Sequence, residues 1–490
     1  MKEHLIPLAG SWHKVGNRYT DIINPANGKA VSRVPALGRH DVDAAVSAAQ
    51  EALRTSNWAH DGRLRSEVLL QWADKLANKV DKIAERLVLE NGKVLREARF
   101  EVANQIQVIR YNAGLARSLA GRTHSLGRHV TGLVTVEPMG VVAIISPWNW
   151  PITLLTRDLA PALAAGNATL CKPASQTAGA TAEFLATLAE VEGLPPGILS
   201  VVTGSGSTVG QAMVEHPDID MIAFTGDGST GQRILRDAAP TFKKIVLELG
   251  GKSPFVICAD ADLDKAAGEL ASAIFTTTTG QICTAPSRAI VETSCLEEVA
   301  ERLRGIVANI TLGDGFDEKT TMGPLTTQEQ YDKVVSHIKE AKETCRLVAG
   351  GDLPDARSAS DGFFVGPAIF TDVPPEAPLL QKEIFGPVLT LQNFDTDEQA
   401  VALANSTSFG LSAAVFCNDL NRTMQLSRQI RAGTVWVNTY NRFYPETEVG
   451  GYGDSGIGRM AGETGLREFT QTKHINLDHT PGTTRIGRVG

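Results

Sequence analysis

The stretch GVVAIISPWNWPITLLTRDLAPALAAGNATLCKP, Gly140 to Pro173, decides the fold class. Its two ends, GVVAIIS and ATLCKP, are short apolar runs bounded by Gly and Pro, and they read as buried strands. Between them, ITLLTRDLAPALAAG is long enough for a helix and closes on Gly166. Strand, helix, strand requires a crossover between parallel strands. The alternation continues with a helix from Thr177 to Glu190, the strand GILSVVT, a helix from Ser207 to Glu215, the strand DMIAFTG, a helix from Thr230 to Ala239 and the strand KKIVLELG. The prediction is an α/β fold with an open parallel sheet, which binds ligands at the carboxyl ends of its strands.

Working outward, HVTGLVTVEPMGVVAIISP carries β-branched residues between Gly and Pro and predicts strands before Gly140. The first 120 residues read mainly as helix. Asp41 is placed to cap a helix whose apolar face includes Val42, Ala45, Val46 and Ala49, and longer helical patterns run from about Leu64 to Glu90 and from about Val94 to Leu119. Beyond Gly251, PFVIC, RAIVET, AAVFC and GTVWVN are strand-like with helices between them, a second α/β unit. The chain of 490 residues exceeds what one core holds, since cores stop growing at roughly 250–300 residues. No internal repeat or low-complexity linker divides it.

Hydrophobic residues make up 42% and charged residues 21%, and the net charge of -8 is spread along the chain. No Lys or Arg block points to nucleic acid or a membrane surface. The apolar run from Val141 to Thr156 is broken by Pro147, Asn149 and Pro151 and is too short to span a bilayer. The opening MKEHLIPLAGSW lacks a long apolar segment, so a cytoplasmic location is the expectation. The cysteines at 171, 258, 283, 295, 345 and 417 show no C-x-x-C pairing, and no His cluster has zinc-ligand spacing. Neither a disulfide framework nor a metal site is expected.

Four stretches carry chemistry. In TTTTGQICTA (Thr276 to Ala285), small neighbours give a substrate carbon access to Cys283, which attacks only as thiolate. LELGGKSP puts Glu248 at a strand end, where a carboxylate serves as general base. ISPWNWP puts Asn149 at another strand end, where its amide can donate to a developing oxyanion. FTGDGSTG joins a strand to a helix through glycines, a turn that lets backbone approach a pyrophosphate, although it is not the usual dinucleotide fingerprint.

Together with INPANGKAVSRVP, KPASQT, EIFGPV, WVN and GGYGDSGIGR, in this order along nearly the whole chain, these stretches resemble the aldehyde dehydrogenase superfamily. The resemblance implies that Cys283 attacks the aldehyde carbon and that Asn149 and the Cys283 N–H hold the oxyanion. Hydride then passes to NAD or NADP, and Glu248 activates the water that releases the acid. It assigns Trp148, Lys172, Ser175, Gly226, Asp227, Gly231, Glu383 and Phe385 to the cofactor side. The substrate tunnel is expected from Trp150, Thr153, Leu154, Arg157, Thr277, Ile282, Arg442, Phe443 and Val449. The family fold is a Rossmann-like cofactor domain (1–120 and 141–249), an α/β catalytic domain (250–446) and a small β oligomerisation arm (121–140 and 470–490). An exposed two-stranded arm is marginal alone, so a homodimer or homotetramer is expected.

The sequence departs from the family pattern at four positions. Ser175 stands where an acid is frequent, which removes repulsion of a 2′-phosphate and predicts use of NADP as well as NAD. Asp227 replaces a small hydroxyl residue at the pyrophosphate turn and would repel phosphate. Gly453 replaces a lysine, and Asp158 a basic residue. Arg157, facing the tunnel, could hold a carboxylate bidentately, which suggests a polar or acidic semialdehyde; the alternative is that Arg157 pairs with Asp158 or another acid and only shapes the tunnel. An aromatic or aliphatic aldehyde with no acidic group, or acyl transfer to coenzyme A, are the competing activities. Glu248 speaks against the latter, which needs no hydrolytic base.

Overall fold

In the computed structural model, which describes residues 1–352 and 362–481, two open α/β sheets and a smaller antiparallel sheet organise the chain. The first sheet has six strands in the spatial order Leu199–Val201, Ala168–Lys172, Val141–Ile145, Met221–Thr225, Lys244–Glu248 and Gly456–Ile457. All pair in parallel except the last, which runs antiparallel to Lys244–Glu248. The order reverses between Val141–Ile145 and Met221–Thr225. Ile145 therefore lies beside Lys172 on one side and Phe224 on the other, with the carboxyl ends of three strands in a row. The helix Pro151–Ala165 starts with Pro at its first position and ends on Gly166 at φ +101°, a conformation that suits glycine. It is buried on nearly every face because it packs between this sheet and the helix Leu95–Leu115.

The second sheet has seven strands in the order Arg346–Gly350, Ala368–Thr371, Val388–Phe394, Arg288–Glu292, Pro254–Ile257, Ser412–Phe416 and Thr434–Val437, parallel except for the first. The antiparallel sheet joins Arg122–Gly127 and Val130–Pro138 to Thr470–Asp478. It unites the hairpin and tail segments expected of the arm; residues 482–490 of that tail lie outside the described residues.

The amino-terminal expectation needs correction. Five short strands occupy the first 35 residues before the helices Arg39–Thr55, Gly62–Ala77, Val80–Asn91 and Leu95–Leu115. They are only two to six residues long and partly exposed, so no sustained alternation marks them. Asp41 is not the N-cap residue. It sits in the first turn and accepts the Gly38 N–H at 2.8 Å, half of a capping box. The helix expected from Ser207 opens as a π-helical turn, Gly206–Gly210, before Gln211–Glu215.

Candidate active site

Cys283 lies just past a strained turn. The helix Leu263–Ala271 runs into a π-helical turn, Ser272–Thr276, and then a tight turn in which Thr278, Thr279 and Gly280 have φ of 44°, 55° and 73°. Threonine rarely adopts that region, so surrounding bonds must hold it. Thr278 donates to Glu97 at 2.6 Å and Thr279 to the Gly323 carbonyl at 2.9 Å. The Gln281 amide donates to the Thr278 carbonyl and accepts the Thr326 N–H, both at 2.9 Å. A Cβ on Gly280 would stand 2.5 Å from the Gly386 carbonyl oxygen, so only glycine fits there.

Asn149 is buried and donates one amide N–H to the Gln281 carbonyl at 2.9 Å, which ties it to the Cys283 turn and leaves its second N–H. Its own turn is anchored from behind. Asn91 donates to the Trp148 carbonyl at 2.9 Å, Lys93 to the Asn149 carbonyl at 3.0 Å, and Glu101 accepts the N–H groups of Ile152 and Thr153 at 2.8 and 3.2 Å. Lys93 also pairs with Glu101 and lies over the Trp150 ring at 4.1 Å.

Glu248 ends its strand beside Thr225 and is buried. Burial pushes its carboxyl up to about 7; the Arg157 guanidinium opposes this and Asp158 adds to it. Its Oε1 has no hydrogen-bond partner among the described residues. Burial also pushes the Cys283 thiol up to about 12, with Glu383 adding to it and Arg157 opposing. Arg157 is already partnered. It donates to Asp158 at 3.1 Å and to Thr225 at 2.6 Å, and stands 3.7 Å from Glu248. Asp158 is buried, and this departure from the family pattern forms an ion pair with the half-buried Arg157.

A cavity of about 730 Å³ contains Cys283, Asn149 and Glu248 in its wall, together with all nine tunnel residues expected from the sequence, Trp150, Thr153, Leu154, Arg157, Thr277, Ile282, Arg442, Phe443 and Val449. Its wall also carries the exposed Phe100 and Tyr444 and the buried Trp436, and Glu269 lies 3.8 Å from Arg442.

The expected cofactor residues divide into two groups. On the first sheet, Lys172 ends the strand Ala168–Lys172 and Ser175 follows it, while Gly226, Asp227 and Gly231 follow Met221–Thr225; these two strands flank Val141–Ile145. Lys172 is buried, its ammonium pulled down to about 8 by burial, and among the described residues it donates only to the Pro173 carbonyl at 3.2 Å, which leaves donors for a ligand hydroxyl or phosphate. Ser175 lies 3.4 Å from the Gly204 carbonyl. Asp227 caps the helix Gly228–Ala238, accepting N–H groups from Ser229 at 2.9 Å and Thr230 at 3.3 Å. From the second unit, Glu383 accepts the Gly251 N–H at 3.1 Å, and Phe385, at φ 62°, meets Trp148 edge-on at 5.5 Å. The donor set and the glycine turn suit a dinucleotide; the Asp227 carboxylate at the helix N-terminus does not.

The aldehyde dehydrogenase family model matches residues 12–475. The chain belongs to this family. Among similar proteins, a peroxisomal aminoaldehyde dehydrogenase of Pisum sativum is 39% identical over 96% of this chain and 94% of its own length. Retinaldehyde dehydrogenase 3 of Mus musculus is 39% identical over 96% and 92%. A crystal structure of betaine aldehyde dehydrogenase from Staphylococcus aureus in complex with NAD+ superposes with a TM-score of 0.94 at 33% identity, covering 100% of this chain and 97% of that one. This chain is thus an oxidoreductase acting on aldehydes.

The supports of the dehydrogenase site escaped the sequence reading. Asn91, Lys93, Glu97 and Glu101 sit in the segment ENGKVLREARFE, whose charges look like a solvated helix face. The usable signal was ENGK, a helix end followed by a basic residue. What it supports, the Asn149 turn, lies 56 to 57 residues on, and only the fold joins them.

Proposed function

We propose that this dehydrogenase oxidises aldehydes whose far end is neutral or cationic, using Cys283 as nucleophile and Glu248 as base. The observation that supports the substrate class is the engagement of Arg157. Its guanidinium already donates to Asp158 and Thr225 and faces Glu248 at 3.7 Å, so a substrate carboxylate would have to compete with two acids already in place. Arg96 donates to the carbonyls of Thr320 and Thr321, and Arg442 stands beside Glu269. The aromatic mouth suits an ammonium or an alkyl group, in keeping with the aminoaldehyde, betaine aldehyde and retinaldehyde activities that relatives are named for.

With its carboxyl near 7, Glu248 takes up the Cys283 proton or a water proton at neutral pH. The thiolate adds to the aldehyde carbon, and the carbonyl electron pair moves to oxygen, which the free Asn149 N–H and the Cys283 N–H receive. Lys172 and Ser175 on one side and Glu383 and Phe385 on the other would hold NAD or NADP, which would accept the hydride lost when the oxyanion collapses and leaves the Cys283 thioester. Water deprotonated by Glu248 then adds to the Cys283 thioester, the C–S bond breaks and the acid leaves. Ser175 offers no negative charge to a 2′-phosphate, which supports use of both cofactors.

The domain division expected from the sequence stands as part of this proposal, as does assembly into a homodimer or homotetramer through the three-stranded arm. The arm is flanked by the fully exposed strand Arg122–Gly127 and the largely exposed strand Thr470–Asp478. No described helix is long and apolar enough to cross a membrane, and the cytoplasm remains the proposed compartment.

The test compares kcat/KM for betaine aldehyde, butanal and succinic semialdehyde in wild type and Arg157→Leu. Wild type should disfavour the acidic aldehyde at least about tenfold, roughly 1.4 kcal/mol. Arg157→Leu should impair all three together, because it strips Asp158 and Glu248 of their partner. Preference for succinic semialdehyde, lost selectively in the variant, would instead make Arg157 a carboxylate clamp and overturn the proposal.

A further inference from the structure

Cys258, Asp260 and Cys417 come together at the far end of the second sheet. Cys258 directly follows the strand Pro254–Ile257, and Cys417 directly follows its neighbour Ser412–Phe416. These strands are parallel and in register, Ile257 opposite Phe416, so the two cysteines are cross-strand neighbours. Both belong to one apolar layer with Val256, Ile290 and Val415, which puts their side chains on the same face of the sheet. The strand order reverses between these two strands: Arg288–Glu292 lies on one side and Thr434–Val437 on the other. The carboxyl end of an open sheet at such a reversal is where α/β folds form a ligand crevice.

We propose that Cys258, Cys417 and Asp260 bind one thiophilic divalent cation of the zinc class. The two sulfurs and a carboxylate oxygen lie within 4.8 Å of one another, and Cys417 Sγ is 3.8 Å from Asp260 Oδ2. A tetrahedral ion with Zn–S near 2.3 Å and Zn–O near 2.1 Å has S···O edges of about 3.6 Å and S···S edges of about 3.8 Å. The three atoms therefore need only a small contraction. Asp260 is pre-oriented, since its Oδ2 accepts the N–H groups of Asn418 at 3.1 Å and Asp419 at 2.9 Å. The cysteines are buried and Asp260 is exposed, so the fourth coordination position opens to water on the aspartate side. Two thiols and one carboxylate favour a soft or borderline cation over magnesium or calcium.

Burial raises the Cys258 thiol, with Cys417 adding to the effect and Arg422 opposing it. A thiol gives up its proton on binding a metal, so a cation held by both sulfurs releases protons to solvent. The site is separate from the catalytic one. A Cβ on Gly251, before the amino end of the Pro254–Ile257 strand, would stand 2.5 Å from the Cys283 carbonyl oxygen. Cys258 is seven residues further along, on the order of 20 Å away in extended chain.

The experiment uses full-length Cys283→Ala protein, which removes the catalytic thiol, freed of metal and titrated with Cd²⁺. One ion per chain should bind, with thiolate-to-cadmium charge-transfer absorbance and release of protons, and Zn²⁺ should displace it. Adding Cys417→Ser should abolish the absorbance. Adding Asp260→Asn, at an exposed position that leaves the core intact, should weaken binding at least about tenfold, and it keeps the test decisive if the serine variant does not fold. Absence of saturable Cd²⁺ binding, or binding unchanged by Asp260→Asn and by Cys417→Ser where that variant folds, overturns the proposal.

Discussion

Glu101 and Glu248 are both buried carboxylates beside the cavity, and their surroundings are opposite. Glu101 has the Lys93 ammonium and the N–H groups of Ile152 and Thr153. Glu248 has one oxygen without a partner and the other 3.7 Å from Arg157. A saturated carboxylate fixes geometry, because moving it breaks three contacts at once. An unsaturated one keeps capacity to take a proton, at a cost in stability. The Asn149 turn is therefore built as a support and the Glu248 strand end as a reactive position.

The largest effect expected from this contrast is on stability. Glu101→Gln leaves the Lys93 charge buried without its counter-ion, which costs about 3–5 kcal/mol. The denaturation midpoint should fall accordingly, and turnover should fall with it as the Asn149 turn loosens. The double variant Lys93→Met/Glu101→Met should recover part of the stability and none of the turnover, since Ile152 and Thr153 still lack an acceptor. A Glu101→Gln enzyme as stable and active as wild type would break the contrast.

Glu248→Gln should do the reverse. Turnover should drop roughly 10²-fold or more, the size of a general-base effect. The pH behaviour follows from the direction of the shift. The folded carboxyl titrates near 7 and its ordinary value is 4.5, so the folded state holds the proton longer. Wild type accordingly loses stability as pH rises from 4.5 through 7, by about 3 kcal/mol at most. Glu248→Gln escapes that loss, so its denaturation midpoint should gain on wild type between pH 5 and 8. The active base form grows over the same window, and the acid limb of kcat/KM should bend near pH 7. An acid limb unchanged in the variant would assign that proton elsewhere.

The trio proposed for catalysis, Cys283, Asn149 and Glu248, was legible as a candidate because each member sits in a short local motif, such as Gly280, Gln281 and Cys283 in one turn. The sheet was legible because buried parallel strands are continuous apolar runs. What stayed hidden acts across the fold. Lys93 and Glu101 look like any helix-surface charges until the Asn149 turn is packed on them. Arg157 and Asp158 are adjacent in sequence, yet only the fold shows that their side chains pair, with Asp158 buried. The five amino-terminal strands are too short for a period to register, and their pairing supplies what the pattern lacks.

Asp227 is a third carboxylate and falls between the two extremes. It is exposed, yet its Oδ1 is turned back onto the Ser229 and Thr230 N–H groups. Burial opposes ionisation, but the hydrogen bonds from Ser229 and Thr230 prevail and hold its carboxyl below the ordinary value, so it is charged at neutral pH. It thereby occupies the donors that a pyrophosphate would otherwise receive from the helix N-terminus, and it adds a negative charge there. Asp227→Ser keeps a good N-cap, so stability should change by only a few tenths of a kcal/mol. Dinucleotide binding, followed by fluorescence titration without aldehyde, should tighten by about 1 kcal/mol, roughly fivefold, the scale of one charge at a helix end. The gain should shrink at high salt, where the repulsion is screened in wild type as well. Asp227→Asn, which retains shape and capping but not charge, should reproduce most of it. If neither variant changes the dissociation constant at low salt, the pyrophosphate does not approach this helix, and the cofactor's charge is met elsewhere along the strand ends.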